Sequence, residues 1–175
     1  MRVKIAGTGS CLPRLRVTND DLGTMMDTSD AWIRSRTGIG ARHIAVEETT
    51  TSMSVAAARQ ALEEAGMQPE ELELIIAATL SPDHVLPPLS CEVQRELGAV
   101  NAAAYDLYAA CSGFVFALNT AQAYIQSGFY RKILIIGAET LSKLMDWTDR
   151  STCVLFGDGA GAAVITAEET GLFAG

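Results

Sequence analysis

Apolar residues are spaced in two rhythms along this chain. Residues 74–80, 132–138 and 160–166 (LIIAATL, KILIIGA and AGAAVIT) are short apolar runs, the pattern of strands covered on both faces. Residues 3–7 and 102–108 read as two further strands. Between them the period becomes helical. Met53, Ala56, Ala57, Ala61 and Leu62 recur at helical spacing within residues 51–65, and Gly66 ends that helix. Pro87 and Pro88 open a helix that runs to Leu97, and residues 112–127 form a long alanine-rich helix closed by Gly128. Near the start, Thr18 or Asn19 caps a helix to Met26, with Asp20 and Asp21 in the first turn where acids suit the helix dipole. Ser29 or Asp30 starts a second short helix, which Thr37-Gly38-Ile39-Gly40 breaks, and Pro69 starts a single turn.

Strands alternating with helices predict an α/β fold, a mostly parallel five-stranded sheet with helices on both faces. Composition agrees. Of 175 residues, 49% are hydrophobic and 19% charged, which excludes a disordered chain. The 15 glycines and few aromatics favour close helix–sheet contact. A net charge of −8 argues against nucleic acid or an anionic membrane as partner, so an anionic ligand needs a local arginine cluster. The segment from Met1 turns polar and glycine-rich too soon for a signal peptide, and no apolar run is long enough to span a bilayer. The expectation is a cytoplasmic protein. Cys11, Cys91, Cys111 and Cys153 are widely spaced, without a CxxC pair and with only two histidines, so no metal site is expected and the thiols should be free. Gly7-Thr8-Gly9 lacks the third glycine of a dinucleotide-binding loop, and Gly157-Asp158-Gly159-Ala160-Gly161 precedes a strand. Both read as tight turns where glycine supplies a positive φ or close packing.

The segment Ala104-Tyr105-Asp106-Leu107-Tyr108-Ala109-Ala110-Cys111-Ser112-Gly113-Phe114 carries the most chemistry. A strand ends near Ala109 and a helix begins at about Cys111. A thiol there faces unpaired N–H groups and the positive end of the helix dipole, a setting that activates cysteine nucleophiles. Small neighbours leave room for an acyl group, and backbone N–H groups can hold an oxyanion. A free cysteine is also among the most buried residue types. From the junction alone the two readings of Cys111 stand level, whereas the other three cysteines read as structural.

The run AACSGF resembles the nucleophile motif of the β-ketoacyl-[acyl-carrier-protein] synthase III family, a branch of the thiolase-fold condensing enzymes. Four other stretches resemble that family in the same order: Gly7-Thr8-Gly9-Ser10 with Leu12-Pro13; Asp27-Thr28-Ser29-Asp30-Ala31-Trp32-Ile33-Arg34-Ser35-Arg36-Thr37-Gly38-Ile39; Thr148-Asp149-Arg150; and Phe156-Gly157-Asp158-Gly159-Ala160-Gly161-Ala162-Ala163. The resemblance implies acyl transfer from acyl-CoA to Cys111, then decarboxylative condensation with malonyl on acyl carrier protein. It implies no permanently bound cofactor, with acyl-CoA as substrate. Trp32 and Arg150 would sandwich the adenine of coenzyme A, and Thr28 and Arg36 would contact its pantetheine and phosphate portions. Leu86 and Phe156 would line the acyl pocket. On their own, Trp32 reads as core and Arg36 as a solvated face, although an indole and a guanidinium fork together suit a nucleotide. His43 and His84 could each be proposed as a base for Cys111, but both read as structural, hydrogen-bonded in loops, and the family's catalytic His and Asn lie in a second half that these residues do not match. The resemblance thus makes residues 1–175 one N-terminal thiolase-like domain that needs a C-terminal half, and it implies a homodimer. A related polyketide or 3-hydroxy-3-methylglutaryl-CoA-synthase-like enzyme, or a non-catalytic acyl-CoA-binding or assembly fragment, are the alternatives.

Overall fold

A computed structural model describes residues 2–168. Met1 and residues 169–175, which include the closing stretch from Thr170 to Gly175, lie outside the described residues. Along the chain come β1 (Arg2–Cys11), β2 (Leu15–Thr18), α1 (Asn19–Gly23), α2 (Asp30–Thr37), β3 (Ala41–Ile44), α3 (Thr50–Ala65), β4 (Leu74–Ala78), α4 (Leu89–Leu97), β5 (Ala103–Leu107), α5 (Gly113–Ser127), β6 (Lys132–Thr140) and β7 (Asp158–Glu168). Short 3-10 turns lie at Pro69–Glu71, Ala110–Ser112, Leu141–Leu144 and Cys153–Leu155. The predicted helices and core strands are present, with ends moved by a few residues. The capping residue of α1 is Thr18 and that of α2 is Ser29. The hairpin of β2 and β3 is an addition, because four-residue strands with half-exposed faces leave little periodic signal.

The five-stranded sheet has the order β1-β7-β6-β4-β5. β4 pairs parallel with β5 and β6, whereas β7 runs antiparallel to both β6 and β1. Four strands therefore point one way, as expected, but the pairing is mixed. The reason lies between β6 and β7, where the connection holds only 3-10 turns. A parallel return needs a full crossover, usually a helix.

Strand side chains alternate between two cores. Ile75, Ala77, Leu134, Ile136, Ala162 and Val164 pack with Met53, Ala57, Ala61 and Leu62 of α3 and Leu89 and Val93 of α4. Leu74, Ile76, Ile133, Ile135, Ala163 and Ile165 pack on the other face with Ala117, Ala121 and Ile125 of α5. Helices thus cover both faces. A third small core joins Leu22, Ile33, Cys153 and Val154 beside the β2–β3 hairpin.

The glycines of the first strand are not a turn. Gly7 and Gly9 lie inside β1, where a Cβ would collide with the backbone carbonyl oxygens of Ala61 and Ala57 on α3. Their role is the close helix–strand approach that the sequence reading gave as the other use of glycine. Gly159 and Gly161 likewise lie within β7 rather than in a turn. Among the described residues no helix is long and apolar enough to cross a membrane.

The start of α3 is held from outside by Asp83, whose carboxylate accepts from the N–H groups of Thr50 (3.1 Å) and Thr51 (2.7 Å). Burial pushes the Asp83 carboxyl up, but these hydrogen bonds outweigh it and hold its pKa below the ordinary value. A depressed carboxyl contributes stability above its unfolded pKa and loses it as pH falls.

Two outcomes follow for unfolding measured in urea. Gly9→Ala should cost about 3 kcal/mol, as expected for overpacking against a backbone. Asp83→Ala should cost about 1 kcal/mol at pH 7. That difference should be full above pH 3.8 and shrink as the pH falls through the lowered folded value. A pH-independent difference would contradict the capping role.

Candidate active site

Cys111 sits where β5 hands the chain to α5. After Leu107 the backbone leaves the sheet, Ala109 takes φ −147° and ψ 29°, and Ala110 takes φ +48°. Ala110 is the non-glycine residue with positive φ among the described residues. Such a conformation is strained for a residue with a Cβ, and strain of this kind is tolerated where the surroundings fix it. The bend opens into the 3-10 turn Ala110–Ser112, and α5 follows from Gly113. Cys111 is thereby exposed at the carboxyl ends of β4, β5 and β6, one turn before a 15-residue helix.

Two glycines let the helix tuck in. A Cβ on Gly113 would lie 2.9 Å from the Cβ of Ala78 at the end of β4. A Cβ on Gly137 of β6 would lie 3.1 Å from the Phe114 ring. Small residues on each side thus leave a cleft of about 190 Å³ beside the thiol, lined by Ala78, Leu80, Phe114, Ala138, Glu139 and Leu141 as well as Ala110, Cys111 and Gly137. A cleft of this size suits a short acyl chain.

A polar frame fixes its walls. Asp106 of β5 accepts from the N–H groups of Leu89 and Ser90, both at 2.8 Å, so the strand leading to Cys111 caps α4. Glu139 accepts from the Leu80 N–H at 2.8 Å and from the Ser81 hydroxyl. Ser81 Oγ in turn accepts from Thr140 N–H at 2.8 Å. This pins the loop after β4 to the end of β6. Sequence reasoning missed Asp106 and Glu139. The available signal was a carboxylate placed within or just after an otherwise apolar strand.

The second cluster brings together three of the four residues expected around coenzyme A. The guanidinium carbon of Arg36 lies 4.6 Å above the centre of the Trp32 ring, and that of Arg150 lies 5.3 Å from it. Trp32 and Arg36 come from α2, whereas Arg150 comes from the connection between β6 and β7. Arg150 also donates to the carbonyl of Asp27 and lies 3.3 Å from its carboxylate. Thr28 is half-buried, and its hydroxyl is shielded without a hydrogen-bond partner. An indole face flanked by two guanidinium groups has the chemistry to stack on an aromatic ring and to pair with phosphate, on an otherwise acidic chain.

Other expected residues lie elsewhere. Leu86 does not line the cleft beside Cys111. It projects from the loop after β4 with 81% of its surface exposed, because that loop is anchored by Ser81 and Asp83 and turns its tip outward. Phe156 is half-buried and also outside that cleft, held by Gly157, where a Cβ would touch the β3 residues Arg42 and His43. His43 Nδ1 donates to the Pro13 carbonyl at 2.6 Å, and His84 Nδ1 lies 2.8 Å from Glu92 Oε1. Neither histidine lines the cleft. Among the described residues, no group of three or more His, Cys, Asp or Glu is placed to hold a metal ion.

Residues 105–174 match the family profile of 3-oxoacyl-[acyl-carrier-protein] synthase III. The chain is 54% identical to β-ketoacyl-[acyl-carrier-protein] synthase III of Clostridium acetobutylicum over 163 residues, 93% of this chain and 50% of that protein. The crystal structure of 3-oxoacyl-[acyl-carrier-protein] synthase III from Aquifex aeolicus superposes with a TM-score of 0.95 at 55% identity, covering 96% of this chain and 55% of that one. The priming β-ketosynthase from the R1128 polyketide biosynthetic pathway superposes with a TM-score of 0.94 at 43% identity, covering 97% and 51%. The chain spans about half the length of the curated relatives it matches.

The four thiols differ enough to be ranked by experiment. Burial pushes the Cys153 thiol up, and the nearby Asp149 charge adds to this. Burial, then Glu48, does the same for Cys11. Iodoacetamide at neutral pH should therefore alkylate exposed Cys111 first and buried Cys153 only after unfolding, as read by peptide mass. Equal rates at the two would overturn this reading of the junction.

Proposed function

We infer, for a chain that belongs over its matched length to the 3-oxoacyl-[acyl-carrier-protein] synthase III family, that Cys111 is the acyl-accepting nucleophile of a condensing enzyme. The observation that carries this reading is the exposed thiol on the strained turn before α5, beside an apolar cleft. In the first step Cys111 Sγ, as thiolate, attacks the thioester carbonyl of a short acyl-CoA. The carbon–sulfur bond to coenzyme A breaks, and the released thiolate takes up a proton. The N–H of Cys111 is the proposed oxyanion donor. In the second step malonyl on acyl carrier protein loses carbon dioxide. The electron pair left on its methylene carbon forms the new carbon–carbon bond to the acyl carbonyl, and the bond to Cys111 breaks. The product is a β-ketoacyl thioester, the first elongated intermediate of fatty acid synthesis.

Residues 1–175 are on this reading the N-terminal thiolase-like domain, working with a C-terminal half that brings the His and Asn of the decarboxylating step. Leu86 and Phe156 then belong to an acyl pocket completed by further chain. The exposed Val115 and Phe116 on the outer side of α5 are suited to being covered by that half. We further propose a cytoplasmic homodimer with no permanent cofactor.

Thr28, Trp32, Arg36 and Arg150 are the proposed coenzyme A site. An adenine sandwiched between Trp32 and Arg150 needs two stacking layers, about 7 Å in all. The present 5.3 Å is too short, so Arg150 must swing away from the ring and from Asp27 when the nucleotide enters. A second reading, a priming ketosynthase of polyketide synthesis, is supported by the 43% identity to the R1128 enzyme and would use the same residues.

The test is intact mass of this chain after brief incubation with acetyl-CoA. A single acetyl adduct, absent in Cys111→Ser and reduced about tenfold in rate in Arg150→Ala, is expected for loss of one charged contact. An adduct that persists in Cys111→Ser would overturn the assignment. Comparing acetyl-CoA with branched or longer acyl-CoA then separates the two pathway readings.

A further inference from the structure

The Trp32 cluster is assembled from two segments more than 110 positions apart, so something must hold them together. Arg42 and Asn19 lie directly behind it, 5% and 1% exposed. Arg42, on β3, reaches three acceptors with one guanidinium. It donates to the Val17 carbonyl at 3.3 Å, to Asn19 Oδ1 at 2.8 Å and to the Val154 carbonyl at 3.3 Å. Asn19 passes the contact on. Its amide donates to Asp30 Oδ1 at 2.8 Å and to the Ile39 carbonyl at 2.7 Å. Asp30 is the first residue of α2 and Ile39 follows its left-handed cap, Gly38, so Asn19 grips both ends of the helix that carries Trp32 and Arg36. Val154 lies four residues beyond Arg150 in the same connection.

We propose that Arg42 and Asn19 are positioning residues that hold α2 and the Arg150 segment in register, and so set the affinity for the nucleotide end of coenzyme A. The inference rests on the coenzyme A reading above. None of the three acceptors of Arg42 is a carboxylate. A buried cation bonded to neutral oxygens is a poor source of stability compared with an apolar residue of similar volume, but it fixes geometry well. Lysine could not replace it, since one ammonium on a flexible stem does not match this fork. Asn19 is equally specific, because it accepts from one neighbour while donating to two others. An aspartate would keep the bond to Arg42 and face Asp30 and Ile39 with oxygens alone.

The experiment is coenzyme A binding by this chain, followed by Trp fluorescence, for wild type, N19D, R42K, R36A and R150A. Cys111 alkylation by iodoacetamide is measured in parallel. N19D and R42K should each weaken coenzyme A binding about tenfold, the effect of losing one charged hydrogen bond. Their Cys111 alkylation rates should stay at the wild-type value. Reversing the donor and acceptor in N19D/D30N should recover part of the affinity lost in N19D. If R36A and R150A bind as wild type does, or if wild type binds no coenzyme A, the coenzyme A reading falls and this inference with it. If R36A and R150A lose affinity while N19D and R42K keep it, only the positioning role is overturned. A variant in which binding and alkylation change together points to general loosening and also counts against the proposal. Should R42K fail to fold, N19D alone decides.

Discussion

The close approach of α5 to the carboxyl edge of the sheet is the constraint on which the site depends. Gly113 faces Ala78, and Gly137 faces Phe114, with no room for a Cβ at either glycine unless its neighbour moves. The helix can start that close only because the chain turns sharply through Ala110 in a left-handed conformation. The same turn exposes Cys111. Packing, backbone strain and placement of the thiol are therefore one arrangement, and a larger residue at any of these positions would disturb all three.

Around that junction, carboxylates serve as fasteners more than as reagents. Asp106 caps α4, Asp83 caps α3, and Glu139 fastens the loop after β4. Asp158 does the same at the start of β7, accepting from Ala45 N–H at 2.7 Å, from Ser142 N–H at 2.9 Å and from the Ser142 hydroxyl at 2.6 Å. Each carboxylate receives at least two donors, which is how a buried or half-buried anion is kept in place; Asp83 has in addition the Lys143 ammonium at 3.6 Å. A chain with 21 acidic residues thus spends several of them on fixing loops around the thiol. The arginines that flank Trp32 then give a local positive surface against an acidic background.

The two clusters divide the labour. The apolar cleft at Cys111 is built by strands and the start of a helix, elements with a rigid hydrogen-bonded frame. The Trp32 cluster is built by a short helix and a connection that holds only 3-10 turns, with the buried Arg42 and Asn19 bonded to both. On the proposed function, a reacting thiol gains from rigid placement, whereas a site that is to admit a ring between Trp32 and Arg150 needs room to open.

The sequence by itself determined the class of fold, because apolar runs and helical periods are local signals that survive without neighbours. It also determined the place of Cys111 at a strand–helix junction, since a strand, small residues, a cysteine and an alanine-rich helix follow one another within residues 103–127. The caps were legible to within one residue, Thr18 or Asn19 and Ser29 or Asp30, for the same reason, and the fold uses Thr18 and Ser29. What only tertiary structure decided involves residues far apart. The antiparallel place of β7 depends on which strands meet. The use of Gly7 and Gly9 depends on α3 lying across β1, and the position of Leu86 depends on how Ser81 and Asp83 anchor its loop. Arg42 carries no local signal of its role until the fold buries it among Val17, Asn19 and Val154. Periodicity records which face of an element is buried, but the partner that a polar group finds there is fixed only when the elements pack.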